Sequence, residues 1–140
     1  MEEIYKEYRN RANFFVVYIR EAHPVDGWRT KENDRKGIEI PQAKTFEERS
    51  GVANTCAAEL DLTIPMLVDG IDNRVGEAYC GWPDRLFVVG TDRRIAFRGE
   101  RGPRGFKPND MVLALKEVLG NSGSKDDMES ALDKALEGDK

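Results

Sequence analysis

Phe14-Phe15-Val16-Val17-Tyr18-Ile19 is an unbroken run of aromatic and β-branched residues, and it empties directly into Arg-Glu-Ala-His-Pro. A run without polar alternation suits a strand covered on both faces, as in a parallel sheet. It arrives after only thirteen residues, and it delivers the chain's one histidine, His23, just past a strand end. In open α/β sheets that is where ligands bind.

The flanking sequence supplies alternating elements. Residues 2–12 read as a short helix with Ile4, Tyr5 and Tyr8 on one face, and no capping signal precedes Met1, so it resembles the tail of a helix. Residues 21–44 form a long connection punctuated by Pro24, Gly27, Gly37 and Pro41, and unstructured loops of that length are usually functional or mobile. Thr45-Phe46-Glu47-Glu48 fits a capping box, followed at helical spacing by Phe46, Ala53, Cys56, Ala57 and Leu60, which predicts an amphipathic helix over 46–60. A second apolar strand (64–69), a short helix (72–79) and a β-hairpin (82–99) turning at Thr91–Arg94 come next. After a Gly/Pro-rich loop (101–108), Asn109 can cap a helix carrying Met111, Val112, Leu115, Val118 and Leu119, stopped at Gly120. The order predicts an α/β class with a mixed sheet flanked by helices, in one domain over 1–120. Residues 121–140 change composition and read as a linker and a marginal tail helix with Met128, Leu132 and Leu136 spaced four apart.

Composition narrows the function classes. The chain is 39% hydrophobic and 34% charged with a net charge of −4, which argues against nucleic acid or an anionic membrane as partner. No apolar run is long enough to span a bilayer and no signal-peptide core is visible, so a cytoplasmic location is expected. Cys56 and Cys80 show neither C-x-x-C nor a histidine pair, which predicts free thiols and no metal site.

Four segments, VVYIREAHPVDGW, IPMLVDGIDNRVGEAY, WPDRLFVV and GPRGF, resemble the iodothyronine deiodinase family in order and spacing, over roughly residues 3–119. The resemblance implies a thioredoxin-like fold and selenol- or thiol-based redox chemistry. It further implies a small-molecule substrate, aromatic or halogenated, a thiol reductant as cosubstrate and no bound cofactor. The family's nucleophile, selenocysteine or cysteine, lies in a segment resembling S-x-T-x-P-P-F that has no counterpart here, so the first, central strand of the sheet is missing. The expectation is an N-terminally truncated selenoprotein candidate, through an in-frame UGA read as a stop or a misplaced start after a cysteine codon, and inactive as it stands. Genuine loss of the strand is the third option. Its open strand edges would then seek another chain, including a second copy of itself.

At the strand end His23 could hydrogen-bond a substrate phenol or take and give a proton, and Glu21, two residues back, points the same way along an extended chain and could orient the imidazole; the resemblance assigns both residues to the active site. The plain alternative for His23 is a loop histidine. Pro83 is expected to be cis, with the Trp82 carbonyl offered to substrate. Arg85 matches a basic position of the family, though a solvated strand-edge arginine reads equally well. Trp28 either walls the pocket or packs. Arg104 stands where the family more often carries an aromatic, and with Arg101, Lys107, Arg93, Arg94 and Arg98 it makes a basic stretch, either a solvated hairpin face or a site for a carboxylate or phosphate. Cys56 reads as a small core residue. Cys80, beside Gly81-Trp82-Pro83, is a candidate resolving thiol. Two other functions fit the same residues: a non-catalytic thioredoxin-like module that accepts a partner strand, and a thiol peroxidase-like enzyme that uses Cys80 itself.

Overall fold

The computed structural model describes residues 1–122. Their order is α1 (Glu2–Tyr8), β1 (Val16–Tyr18), α2 (Lys31–Lys36), α3 (Phe46–Glu59), β2 (Met66–Val68), α4 (Arg74–Ala78), β3 (Phe87–Val89), β4 (Ile95–Arg98) and α5 (Pro108–Ser122). The class is mixed α/β. Two compact units divide it: Met1–Arg85 with Glu100–Phe106, and Leu86–Gly99 with the described residues from Lys107 onward. The tail helix expected around Met128, Leu132 and Leu136 lies outside the described residues. No helix among the described residues is long and apolar enough to cross a membrane.

In the first unit β1 and β2 form a parallel pair, with Val17 opposite Leu67. The six-residue apolar run yields only three ladder residues, and its expected cover on both faces is not found. Phe15, Val17 and Leu67 are 58, 38 and 49% exposed. An apolar run tells that a strand is fit for burial; whether a covering layer exists depends on the rest of the fold. Among the described residues β1 has a ladder partner on one side only.

Thr45 begins α3 as the capping box requires. Its Oγ1 accepts from the Glu48 amide (3.1 Å), and the Glu48 carboxylate accepts from the Thr45 amide (3.3 Å). The apolar stripe read from the sequence is only partly inward, since Ala53 is buried while Phe46 and Leu60 are exposed. The long connection contains a helix of its own, α2, capped by Thr30 on the Asn33 amide and closed by Gly37 at φ 65°. That positive φ is free of strain only for glycine.

In the second unit β3 and β4 pair antiparallel around the expected turn, where Asp92 accepts from the Arg94 amide (3.0 Å). Within this unit β3 and β4 form a two-stranded sheet. Met111 and Leu115 of α5 are buried with Leu86 and Val88. Helix α5 starts at Pro108, not after an Asn109 cap, because proline lacks the amide that a first-turn residue leaves unpaired. It also runs past Gly120 to Ser122.

The least expected core member is charged. Arg49 of α3 is only 2% exposed. Its Nη1 donates to the carbonyls of Asp69 (3.2 Å) and Gly70 (2.6 Å), and its Nη2 donates to Asn73 Oδ1 (2.9 Å). Arg49 thus ties α3 to the loop between β2 and α4. Arg49→Leu would leave these acceptors without a donor, at about 1–3 kcal/mol each where burial persists. A loss of about 3 kcal/mol is expected in urea unfolding; a change under about 0.5 kcal/mol would show the bridge to be dispensable.

Candidate functional site

The end of β1 is anchored before it reaches the site. The Asp69 amide donates to the Tyr18 carbonyl (2.8 Å), and the buried Asp69 carboxylate accepts from the Val75 (3.1 Å) and Gly76 (2.8 Å) amides. One residue therefore joins β1, the β2 end and the first turn of α4. Gly76 packs closely here: a Cβ would stand 3.3 Å from Asp69 Oδ2 and 3.4 Å from Ile19 Cγ2, so its neighbours would have to give by a few tenths of an ångström.

Past that anchor lies a cleft of about 270 Å³, walled by Ile19 and Arg20 after β1, by Asn73, Gly76 and Glu77 around α4, and by Cys80, Trp82 and Arg101. Arg20 holds its guanidinium 5.6 Å from the Trp82 ring centroid, a cation–π distance. Trp82 Nε1 points at the Glu21 carbonyl at 3.5 Å, a long contact. Cys80 is exposed, at φ 49°. Two guanidinium groups beside an indole and an accessible thiol suit a ligand that is aromatic and carries an anion.

The expected site residues do not all meet at this cleft. Trp82 and Cys80 line it; Arg104 does not, and the cation from that loop is Arg101. The Trp82–Pro83 peptide is cis, as the resemblance implies, and Gly102–Pro103 is cis as well. Arg85 lies outside the lining, and its Nε and Nη1 are buried without a hydrogen-bond partner among the described residues. Arg20 escaped notice because only the folded loop shows which way a residue after a strand faces; Arg101 was visible merely as one member of a basic stretch.

His23 follows the cleft-lining residues of the β1 loop by three positions. Its Nδ1 lies 3.1 Å from the Trp28 carbonyl, and the two rings meet edge to face at 4.6 Å. Trp28 is 68% exposed, so it neither walls the cleft nor packs in a core; it meets His23. The Glu21 carboxylate accepts from the Tyr18 hydroxyl instead of orienting the imidazole. β1 ends at Tyr18, and no hydrogen bond joins Glu21 to His23 among the described residues. Cys56 is half-buried, and burial pushes its thiol up, aided by the Glu21 and Glu59 charges. Such a thiol stays protonated and inert.

Residues 1–118 match the sequence model of one protein family, iodothyronine deiodinase. The chain belongs to the iodothyronine deiodinase family. It is 34% identical over 116 residues to thyroxine 5-deiodinase of Sparus aurata, covering 83% of this chain and 42% of that protein. Against type I iodothyronine deiodinase of Xenopus laevis it is 27% identical over 115 residues, covering 82% and 43%. Against thyroxine 5-deiodinase of Gallus gallus the identity is 33% over 106 residues, covering 76% and 39%. The chain thus spans about two-fifths of the length of these relatives.

Glu21 gives the site a pH signature. Burial raises its carboxyl above the ordinary carboxylate value, with the Arg49 charge pulling the other way. The folded state then holds the proton more tightly than the unfolded state, so this group's contribution to stability falls as pH rises from the ordinary value through the raised one. Glu21→Gln keeps an oxygen for the Tyr18 hydroxyl and removes the charge. The variant is expected to melt higher than the parent at pH 7, with the gap closing near pH 4; equal melting at both pH values would contradict it.

Proposed function

We propose that the chain forms the substrate-binding side of a thioredoxin-like deiodinase domain that removes halide from an aromatic compound by selenol or thiol chemistry. The observation that carries this reading is the cleft at the end of β1, where Arg20 and Arg101 flank Trp82 and Cys80. Membership of the family supports it, and the relatives' names, thyroxine and iodothyronine deiodinase, point to an iodinated phenol that carries a carboxylate. Arg20 and Arg101 are the cations of the cleft that such a carboxylate would meet.

The chemistry needs a nucleophile that the family's motif places on a central strand, and the unpaired side of β1 is the natural seat for it. A selenolate or thiolate there attacks the halogen, and the carbon–halogen bond breaks with its electron pair left on the ring carbon, which takes a proton. Two thiol groups of a reductant then release the halide and become a disulfide. The sum is aryl halide plus two thiols giving arene, disulfide and hydrogen halide. His23 acts as the proton carrier, and the exposure of Cys80 supports a variant of this step in which its thiol replaces one of the reductant's two.

The exposure of Cys80 also favours a second reading, in which this thiol is itself the nucleophile of a peroxidase-like reaction. One assay separates the two. The protein is mixed with thyroxine and dithiothreitol while iodide release and tryptophan fluorescence are followed. Saturable quenching is expected, weakened roughly tenfold or more by Arg101→Ala, as loss of one charge-assisted contact implies. Iodide release is expected only when a strand bearing the nucleophile is fused ahead of α1. Release from the unfused chain that Cys80→Ser abolishes would make Cys80 the nucleophile. Absence of any quenching would favour a module that binds a partner strand instead of a small molecule.

A further inference from the structure

His23 has two ring nitrogens, and their surroundings differ. Nδ1 faces the Trp28 carbonyl at 3.1 Å. A carbonyl oxygen only accepts, so in the neutral ring this contact places the proton on Nδ1 and leaves Nε2 with its lone pair. Free histidine favours the opposite tautomer. The loop from Pro24 to Trp28 brings the carbonyl back by a tight turn, in which the Gly27 amide donates to the Pro24 carbonyl (3.1 Å).

The turn is held from outside as well. The Val25 amide donates to the Ile40 carbonyl (2.9 Å), and Asp26 accepts from the Gln42 amide (2.9 Å). Pro24 is buried. A Cβ at Gly27 would lie 2.9 Å from Pro24 Cγ, so a larger residue there obliges the proline ring or the turn to shift. The Trp28 ring and the imidazole meet edge to face, with their centroids 4.6 Å apart.

We propose that the Pro24–Trp28 turn is a tautomer lock, in which Gly27 and Trp28 are positioning residues that keep the proton on His23 Nδ1 and present Nε2 as a hydrogen-bond acceptor. This deepens the proposed function and rests on it for its use: an Nε2 lone pair accepts from an acidic hydroxyl, such as a halogenated phenol, and does not donate to a carbonyl or ether oxygen. The preferred ligands are therefore hydroxyl-bearing aromatics over their O-methyl counterparts.

The test uses the ¹⁵N-labelled protein and two-bond ¹H–¹⁵N correlations. His23 is the only histidine, so its pattern needs no assignment. At about pH 9, well above the ordinary histidine range, the parent is expected to show a protonated, pyrrole-like Nδ1 and a pyridine-like Nε2. Gly27→Ala is expected to lose that pattern in favour of the Nε2–H form or an average, and Trp28→Phe, which keeps both carbonyl and ring edge, to retain it. An Nε2–H or averaged pattern in the parent overturns the lock, whatever the variants do, and so does an unchanged pattern in folded Gly27→Ala. Thyroxine quenching of His23→Asn is measured in parallel. Unchanged affinity together with the Nδ1–H pattern would remove His23 from substrate binding and leave the lock standing.

Discussion

A buried guanidinium sets the geometry of the first unit. Arg49 leaves the solvent face that a helical arginine normally takes and donates to two carbonyls and one side-chain oxygen of the 69–73 loop. A charge so deeply placed is tolerable only when its protons are spent on well-formed hydrogen bonds. Its Nε nonetheless has no partner among the described residues, so the arrangement is held by three contacts and not by full satisfaction. What Arg49 fixes from one side, Asp69 fixes from the other, since its amide meets β1 and its carboxylate meets the first turn of α4. The cleft inherits its shape from this pair, because residues on both sides of it, Ile19 and Arg20 after β1 and Asn73 to Glu77 around α4, are placed by the same loop.

The apolar side of the fold is less complete than the polar one. Val17 and Leu67, opposite each other across the parallel pair, are exposed, as are Val89 and Ile95 of the hairpin. Unpaired strand edges and bare apolar faces are liabilities that proteins cover or blunt. Under the proposed function, a strand bearing the nucleophile would sit beside the edge of β1 that has no ladder partner among the described residues. The edge, the exposed face and the cleft are in this way three aspects of one proposed site.

The parts legible in the sequence were those governed by neighbours along the chain. The Thr45–Glu48 capping box, both apolar strands and the hairpin turn all stand near their expected places, and four segments, VVYIREAHPVDGW, IPMLVDGIDNRVGEAY, WPDRLFVV and GPRGF, carry the family. Helix α2 was missed although Thr30 and Gly37 bracket it with ordinary start and stop residues; the prolines and glycines around it drew the reading toward loop. What could not be read were tertiary choices. Nothing in the spacing says that Arg49 turns inward while Phe46, on the apolar stripe, turns out. Nor does the sequence show that Arg20 and Arg101, 81 positions apart, line one cleft. The pairing of His23 with the Trp28 carbonyl, in place of the Glu21 carboxylate, depends on a turn that closes through Gly27, and only the folded loop reveals it.

The central claim is that Arg49 and Asp69 act as one unit in holding the cleft. Amide hydrogen exchange at Val75 and Gly76, whose N–H groups both end on the Asp69 carboxylate, tests it most directly when the parent is compared with Arg49→Leu. The account predicts slow exchange at both amides in the parent and a joint loss of protection in the variant, although Arg49 touches neither. Protection at Val75 and Gly76 that survives the loss of Arg49 would show that Asp69 holds α4 unaided, and would contradict the account.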